Sequence, residues 1–189
     1  REAAYAMLTD ADKRLGHRLA AEWLDRAGAR EAVLLAEHHE RGGEPARAAA
    51  LYLEAALQAR EANDLDAVLA RAERGVTMGA AGELLGQLRL LQAEVHRWRN
   101  QNADAARCSE EALALVPRTS VVRYAAVTEL AQASARLGDI DRLEELAAGL
   151  FAEPFALGEH DKARALSRLA MQLVYAGKPA VAGDLLGKL

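Results

Sequence analysis

Five histidines, one cysteine and three pairs of aspartates are the residues of this 189-residue chain whose types invite chemistry. His17, His38, His39, His96 and His160 offer imidazole nitrogens for a metal ion or for proton transfer. His38 and His39 are adjacent, so on a helix their side chains diverge by about 100° and do not chelate one ion together. No Glu lies three residues before any histidine, which removes the signature of di-iron helical bundles. The chain has no GxxxxGK[ST] or GxGxxG phosphate loop, no HExxH and no CxxC. Cys108 sits within a helical pattern without a histidine at a suggestive spacing, and reads as a small core or boundary residue. Asp10/Asp12, Asp64/Asp66 and Asp139/Asp141 resemble cation-binding or catalytic acids. Each pair, however, opens a helical segment, where carboxylates accept from free N–H groups and favour the helix dipole. The expectation is a chain without catalytic residues, metal or cofactor.

The elements that position these residues are helices. Ala and Leu dominate, at 44 and 30 residues, and aromatics make up only 4 %. Ala and Leu lose little conformational freedom in a helix. The apolar runs 32–35 and 120–124 both lie inside helix-period segments, so no strand is expected. Net charge is −4 with no basic block, which argues against direct nucleic-acid binding or an electrostatic membrane surface. No uncharged stretch reaches membrane-span length and no signal peptide precedes the first helix, so the expected location is the cytoplasm. The lone cysteine agrees with a reducing compartment.

Helix stops recur. Gly28, Asn63, Asn100, Gly138 and Gly177 are each αL-tolerant residues ending one helical run before the next begins, at spacings of 35, 37, 38 and 39 residues. Seven residues before each stop lies an alanine: Ala21, Ala56, Ala93, Ala131 and Ala170. A small residue there suits close approach of two helices. The spacing predicts five helical hairpins, over 11–42, 45–77, 80–115, 120–152 and 162–188. Pro45 and Pro179 fall in first turns, where the missing N–H costs little. Thr9 or Asp10, Asp64, Asn102 or Asp104, and Asp139 are candidate caps, and Pro117 and Pro154 follow helix ends. Residues 1–8 read as the end of a preceding helix. Each hairpin has an apolar face it cannot bury alone, so neighbours must stack into an all-α solenoid.

The segments "GGEPARAAALYLEAAL" (42–57) and "NADAARCSEEALALVP" (102–117) resemble tetratricopeptide repeats. Ala105, Ala112 and Pro117 match that motif's second-helix alanines and closing proline. Ala48, Tyr52 and Ala55 fit the same pattern at a junction between hairpins. The Trp-Leu-Gly-Tyr signature of the first helix is largely missing, so the repeats are divergent. "HRLAAEWLDRAG" (17–28) followed by "LAEHHERGGEPARAAALYLEAALQA" (35–59) is similar to the segment after the nucleotide-binding module of bacterial STAND-type signalling ATPases. In that group a serine/threonine kinase or a DNA-binding transcriptional output domain accompanies the ATPase. The resemblance implies a right-handed superhelix over 1–189, acting as sensor and scaffold within a larger multidomain protein. The start at Arg1, without an initiator Met, fits such a piece.

In tetratricopeptide-like solenoids the first helices of the repeats line a concave groove. The resemblance therefore places Arg26, Arg60, Arg97 and Arg136 on that groove, with Trp98 and Tyr175 as aromatic anchors and Gln87, Glu94, Gln132 and Arg164 facing the same side. Such a column would take an acidic peptide or a carboxylate terminus through bidentate pairing and stacking. Arginines in last turns also complement the helix dipole, and exposed ion pairs contribute only about 0.2–1 kcal/mol each, so the aromatics would have to act as hot spots. The resulting expectation is a non-catalytic interaction scaffold whose partner is a protein or peptide, including other domains of the same parent chain. A small-molecule inducer sensor and a free-standing repeat adaptor are the alternatives. The ending "LLGKL" (185–189) lacks a polar capping helix, which allows dimerisation through uncapped ends.

Overall fold

The structure, a computed structural model, describes residues 5–118, 120–152 and 160–187. Among these residues it is all helical, without strands. Ten helices run in order: α1 (Asp10–Arg26), α2 (Ala32–Arg41), α3 (Pro45–Glu61), α4 (Leu65–Thr77), α5 (Gly82–Trp98), α6 (Asn102–Leu115), α7 (Val121–Leu137), α8 (Ile140–Ala152), α9 (His160–Tyr175) and α10 (Pro179–Leu186). The helices correspond to the five expected stretches 11–42, 45–77, 80–115, 120–152 and 162–188, whose outer bounds each lie within two residues of an observed helix bound. No helix among the described residues is long and apolar enough to cross a membrane.

The reason for the agreement is local. Gly28, Asn63, Asn100, Gly138 and Gly177 all adopt left-handed backbone, with φ of 74°, 57°, 59°, 74° and 77°. At each, the next residue's N–H reaches back to a carbonyl five positions earlier, as from Asp64 to Ala59 at 2.9 Å and from Gln101 to His96 at 2.8 Å. This closure satisfies orphan carbonyls and turns the chain sharply. Gly43 and Gly79 repeat it after α2 and α4, with φ of 77° and 85°. The stop of α6 is of a different kind. Val116, before Pro117, is extended at φ −97° and ψ 144°, because the proline ring disfavours helical backbone in the residue ahead of it. Pro154 lies outside the described residues.

Starts follow the same local logic with one correction. Thr9 caps α1 in a reciprocal box with Asp12, Asp64 accepts from the Ala67 N–H at 3.0 Å, and Asp139 accepts from the Arg142 N–H at 3.1 Å. Pro45 and Pro179 occupy first turns. Neither Asn102 nor Asp104 caps α6. Gln101 holds that position without a side-chain bond, since Asn102 is already helical and Asp104 turns to Arg107 at 3.4 Å.

The chain forms two compact units, Arg1–Leu91 and Gln92–Leu189, the division falling within α5. In the first, α1 packs on α2, α2 on α3 and α3 on α4. Ala36, Ala48 and Tyr52 form a buried cluster there, joined by Leu51 and Met78. Gly75 of α4 lets Leu88 approach so closely that a Cβ would lie 2.8 Å from the leucine Cδ1. In the second unit α6 packs on α7, α7 on α8 and α9, α8 on α9 and α10, and α9 on α10. Its core is continuous from Val127 and Leu130 through Leu143 and Leu150 to Leu169, Leu173 and Leu185. The five expected alanines are all buried, none exposing more than 1 %. Cys108 is buried as well.

Two substitution pairs test this frame. Replacing Ala131 by Trp should overpack the α7 interface and cost about 1–3 kcal/mol in urea unfolding, whereas Gln132→Lys one residue away should stay within about 0.5 kcal/mol. At the left-handed stops, Asn63→Ala should lower stability by about 1 kcal/mol while Asn63→Gly leaves it unchanged or raises it slightly, because Ala keeps the Cβ penalty without the local polar compensation of Asn and Gly has no Cβ.

Candidate functional site

The second unit carries an open cleft of about 510 Å³ between the end of α5, one face of α7 and the start of α9. Helical periodicity builds it. Glu94, Arg97 and Trp98 project from α5; Val121, Ala125, Thr128 and Gln132 repeat at three- and four-residue steps along α7; Asp161, Arg164, Ala165 and Arg168 do the same on α9. Ala125 and Ala165 keep the floor shallow and let the longer side chains form the walls. Trp98 and Val121 are 68 % and 61 % exposed, an unusual investment of apolar surface in a chain with few aromatics.

The electrostatics differ from an arginine column. Arg97 donates its Nε–H to the Glu129 carboxylate at 2.5 Å and a second N–H at 3.5 Å, while Glu129 itself is buried. The guanidinium also lies 5.0 Å from the Trp98 ring centroid, so this pair fixes the indole through a cation–π contact. Arg164 pairs with Asp161 at 3.4 Å on its own helix. Arg168 is exposed and has no ion-pair partner among the described residues. Three acidic and three basic side chains line the cleft, so it is charge-balanced rather than basic.

Of the residues expected from the sequence, Glu94, Arg97, Trp98, Gln132 and Arg164 meet in this cleft. Arg136 and Tyr175 line a second one of about 370 Å³ in the same unit, between the ends of α7 and α9. Arg26, Arg60 and Gln87 belong to the first unit. Arg26 is exposed and bonds the Glu22 carbonyl of its own helix at 3.1 Å, Arg60 is exposed and Gln87 half-buried.

Several residues around these sites were not singled out by their types. Glu129 lies three positions before Gln132, on the same face of α7, and that spacing was the available signal. Arg168 stands one turn beyond Arg164 in the same way. In the first unit, Glu40 accepts from both the Tyr52 hydroxyl and Arg74, joining α2, α3 and α4 beside a hollow of about 290 Å³. Burial, and secondarily the charge of Glu37, raises the Tyr52 pKa above its ordinary value. The His39 ring bonds Glu44 at 2.7 Å, which holds that carboxyl below its usual range. His38 turns the other way, to His17. No group of three or more His, Cys, Asp or Glu able to hold a metal ion occurs among the described residues.

No protein-family model, curated protein or solved structure matches this chain.

The Arg97–Glu129 pair yields a stability prediction. Glu129→Ala should cost about 1–3 kcal/mol because it strands a partly buried guanidinium, while the double change Arg97→Met with Glu129→Leu should recover most of the loss. Thermal unfolding of Glu129→Ala, and of Arg97→Met, Glu129→Leu and the double variant with the coupling energy of that cycle, checks it.

Proposed function

We propose that the chain is a non-catalytic protein-interaction module built as a tetratricopeptide-like right-handed solenoid, and that the α5–α7–α9 cleft is its peptide-binding groove. The observation that carries this reading is the cleft itself. Three alternate helices contribute side chains at helical spacing to one open surface, with the exposed indole of Trp98 on its wall. A peptide would place an apolar side chain against Trp98 and Val121, and a carboxylate near Arg168. Because Arg97 and Arg164 already have acidic partners, a strongly acidic ligand gains little there. A segment mixing apolar and single acidic residues fits better.

The resemblance of residues 11–77 to the helical region of STAND-type signalling ATPases extends the proposal to a setting. In it the module is the sensor and scaffold of a larger bacterial regulator, working in the cytoplasm beside an ATPase and a kinase or transcriptional output domain. Its partners would then include other domains of that protein. A second reading, a sensor for a small inducer, draws support from the cleft volume, which falls within the roughly 300–1,000 Å³ range of small-molecule sites. The exposure of Trp98 favours the peptide, since a small ligand there would stay largely in water.

Trp98 can report on binding once Trp23 is replaced by Phe. Titrating that variant with a library of peptides carrying one acidic and one or two large apolar residues should shift its fluorescence with micromolar affinity. Trp98→Ala should then weaken the best peptide by about 2 kcal/mol, roughly thirtyfold, in a calorimetric titration. Absence of binding at high micromolar peptide, together with a ligand-dependent rise in melting temperature in a metabolite screen, would transfer the cleft to the inducer reading.

A further inference from the structure

Helix α1 is lightly held. Ala21 is its one buried residue, and Leu15, Leu19 and Trp23 all leave about half or more of their surface exposed. With little apolar area to fasten it, polar contacts to α2 weigh more. The central one joins two imidazoles: His17 Nδ1 lies 3.0 Å from His38 Nδ1, with ring centroids 5.1 Å apart. The Tyr5 hydroxyl sits 3.0 Å from the other nitrogen of His17. Beside them Arg18 lies across the end of α2, donating to the Gly42 carbonyl at 3.4 Å.

A bond between two ring nitrogens needs one N–H and one lone pair. The neutral pair supplies them, and so does the singly protonated pair. When both rings are imidazolium, two N–H groups face each other and the contact becomes repulsive.

The surroundings offer little to compensate. The charged groups around the pair are Lys13, Arg14 and Arg18 on α1 and Glu37 and Arg41 on α2. Lys13 lies 5.6 Å from the Tyr5 ring centroid and pairs with Asp10 at 3.5 Å, and Glu37 is taken by Arg41 at 3.6 Å. At the head of α3, Glu44 is engaged by His39 and by Arg47 at 3.7 Å. Among the described residues no carboxylate is bonded to either ring of the pair.

We propose that the His17–His38 contact is a pH-sensitive latch that holds α1 against α2 at neutral pH and releases it in mild acid. Burial, then the neighbouring His38 and Arg41, lower the His17 pKa from its ordinary 6.5. The docked state therefore binds fewer protons than the released one just below that value, and docking weakens as pH falls through the window beneath 6.5. Release would free α1, with its exposed leucines and Trp23, and the backbone around Gly42 that Arg18 covers. This device is independent of the cleft in the second unit.

Amide hydrogen exchange on the full chain tests it, comparing about pH 7.5 with about pH 5.5 after correction for intrinsic rates. Protection of α1 should fall by roughly tenfold or more while that of α3 and α9 holds. His38→Gln, whose amide bonds but does not titrate, should dock α1 at neutral pH and abolish most of the pH response. Protection of α1 that is constant with pH, or an undiminished response in His38→Gln, would overturn the latch. If that variant fails to dock α1 at neutral pH, the NMR titration of His17 in the unaltered chain decides. A midpoint below 6.5 that coincides with loss of α1 protection supports the proposal, and a midpoint at or above 6.5 rejects it.

Discussion

Left-handed closure of the helix ends is the constraint from which the other features follow. An α-helix of L-residues continues until something ends it, and in an Ala- and Leu-rich chain few side chains oppose continuation. Here a single residue with positive φ, glycine or asparagine, folds the chain back onto the carbonyls it leaves behind. The connection that follows is only a few residues long, so the next helix lies against the one before, as α2 does on α1, α3 on α2, α4 on α3, α8 on α7 and α10 on α9. The lengths between closures then decide which side chains share a face, including those of the α5–α7–α9 cleft.

Alanine is the second part of that constraint. The buried alanines let neighbouring helices approach closely, and the cores gain contact area from proximity rather than from large side chains. Gly75 carries the same tendency to its limit against Leu88. Apart from Lys162, Gln92 and Glu129, which are buried, few long polar side chains among the described residues enter the interfaces beside these small residues. The others stand along the helix edges and find partners there, as Arg97 does with Glu129, and as Glu40 does with Tyr52 and Arg74. The cleft is therefore polar at its walls, shallow at its floor and nearly neutral in charge. Its large exposed apolar side chains are Trp98 and Val121, above the floor alanines Ala125 and Ala165, and that division of labour is what suits it to a segment with an anchor side chain.

The charged residues that most resembled a chemical site turned out to serve the backbone. Asp64 and Asp139 accept hydrogen bonds from first-turn N–H groups, and Asp12 accepts from the N–H of the capping residue Thr9 at 3.3 Å, the role a carboxylate fills best where the dipole is positive. The arginines of the last turns divided between helix-end roles and internal pairing. Titratable groups with an unusual setting lie elsewhere: His17 against His38 at the α1–α2 contact, and Tyr52 beneath Glu40.

By itself the sequence determined where helices begin and end, since a positive φ, a proline or a capping carboxylate is a property of one or two residues and their nearest neighbours. Gly28, Asn63, Asn100, Gly138 and Gly177 could be read off for that reason, and so could the burial of Ala21, Ala56, Ala93, Ala131 and Ala170 one helical stretch earlier. The one misread cap, at Asn102, failed because Gln101 holds the capping position, with φ −89° and ψ 65°, and Asn102 is already the first helical residue. Tertiary structure alone decided which side chains meet. Arg97 and Glu129 are 32 positions apart, Glu40 and Arg74 are 34, and His17 and His38 are 21. Whether such residues touch depends on how one helix is rotated against the next. Periodicity defines a face about 100° wide, and a rotation within that width exchanges one partner for another.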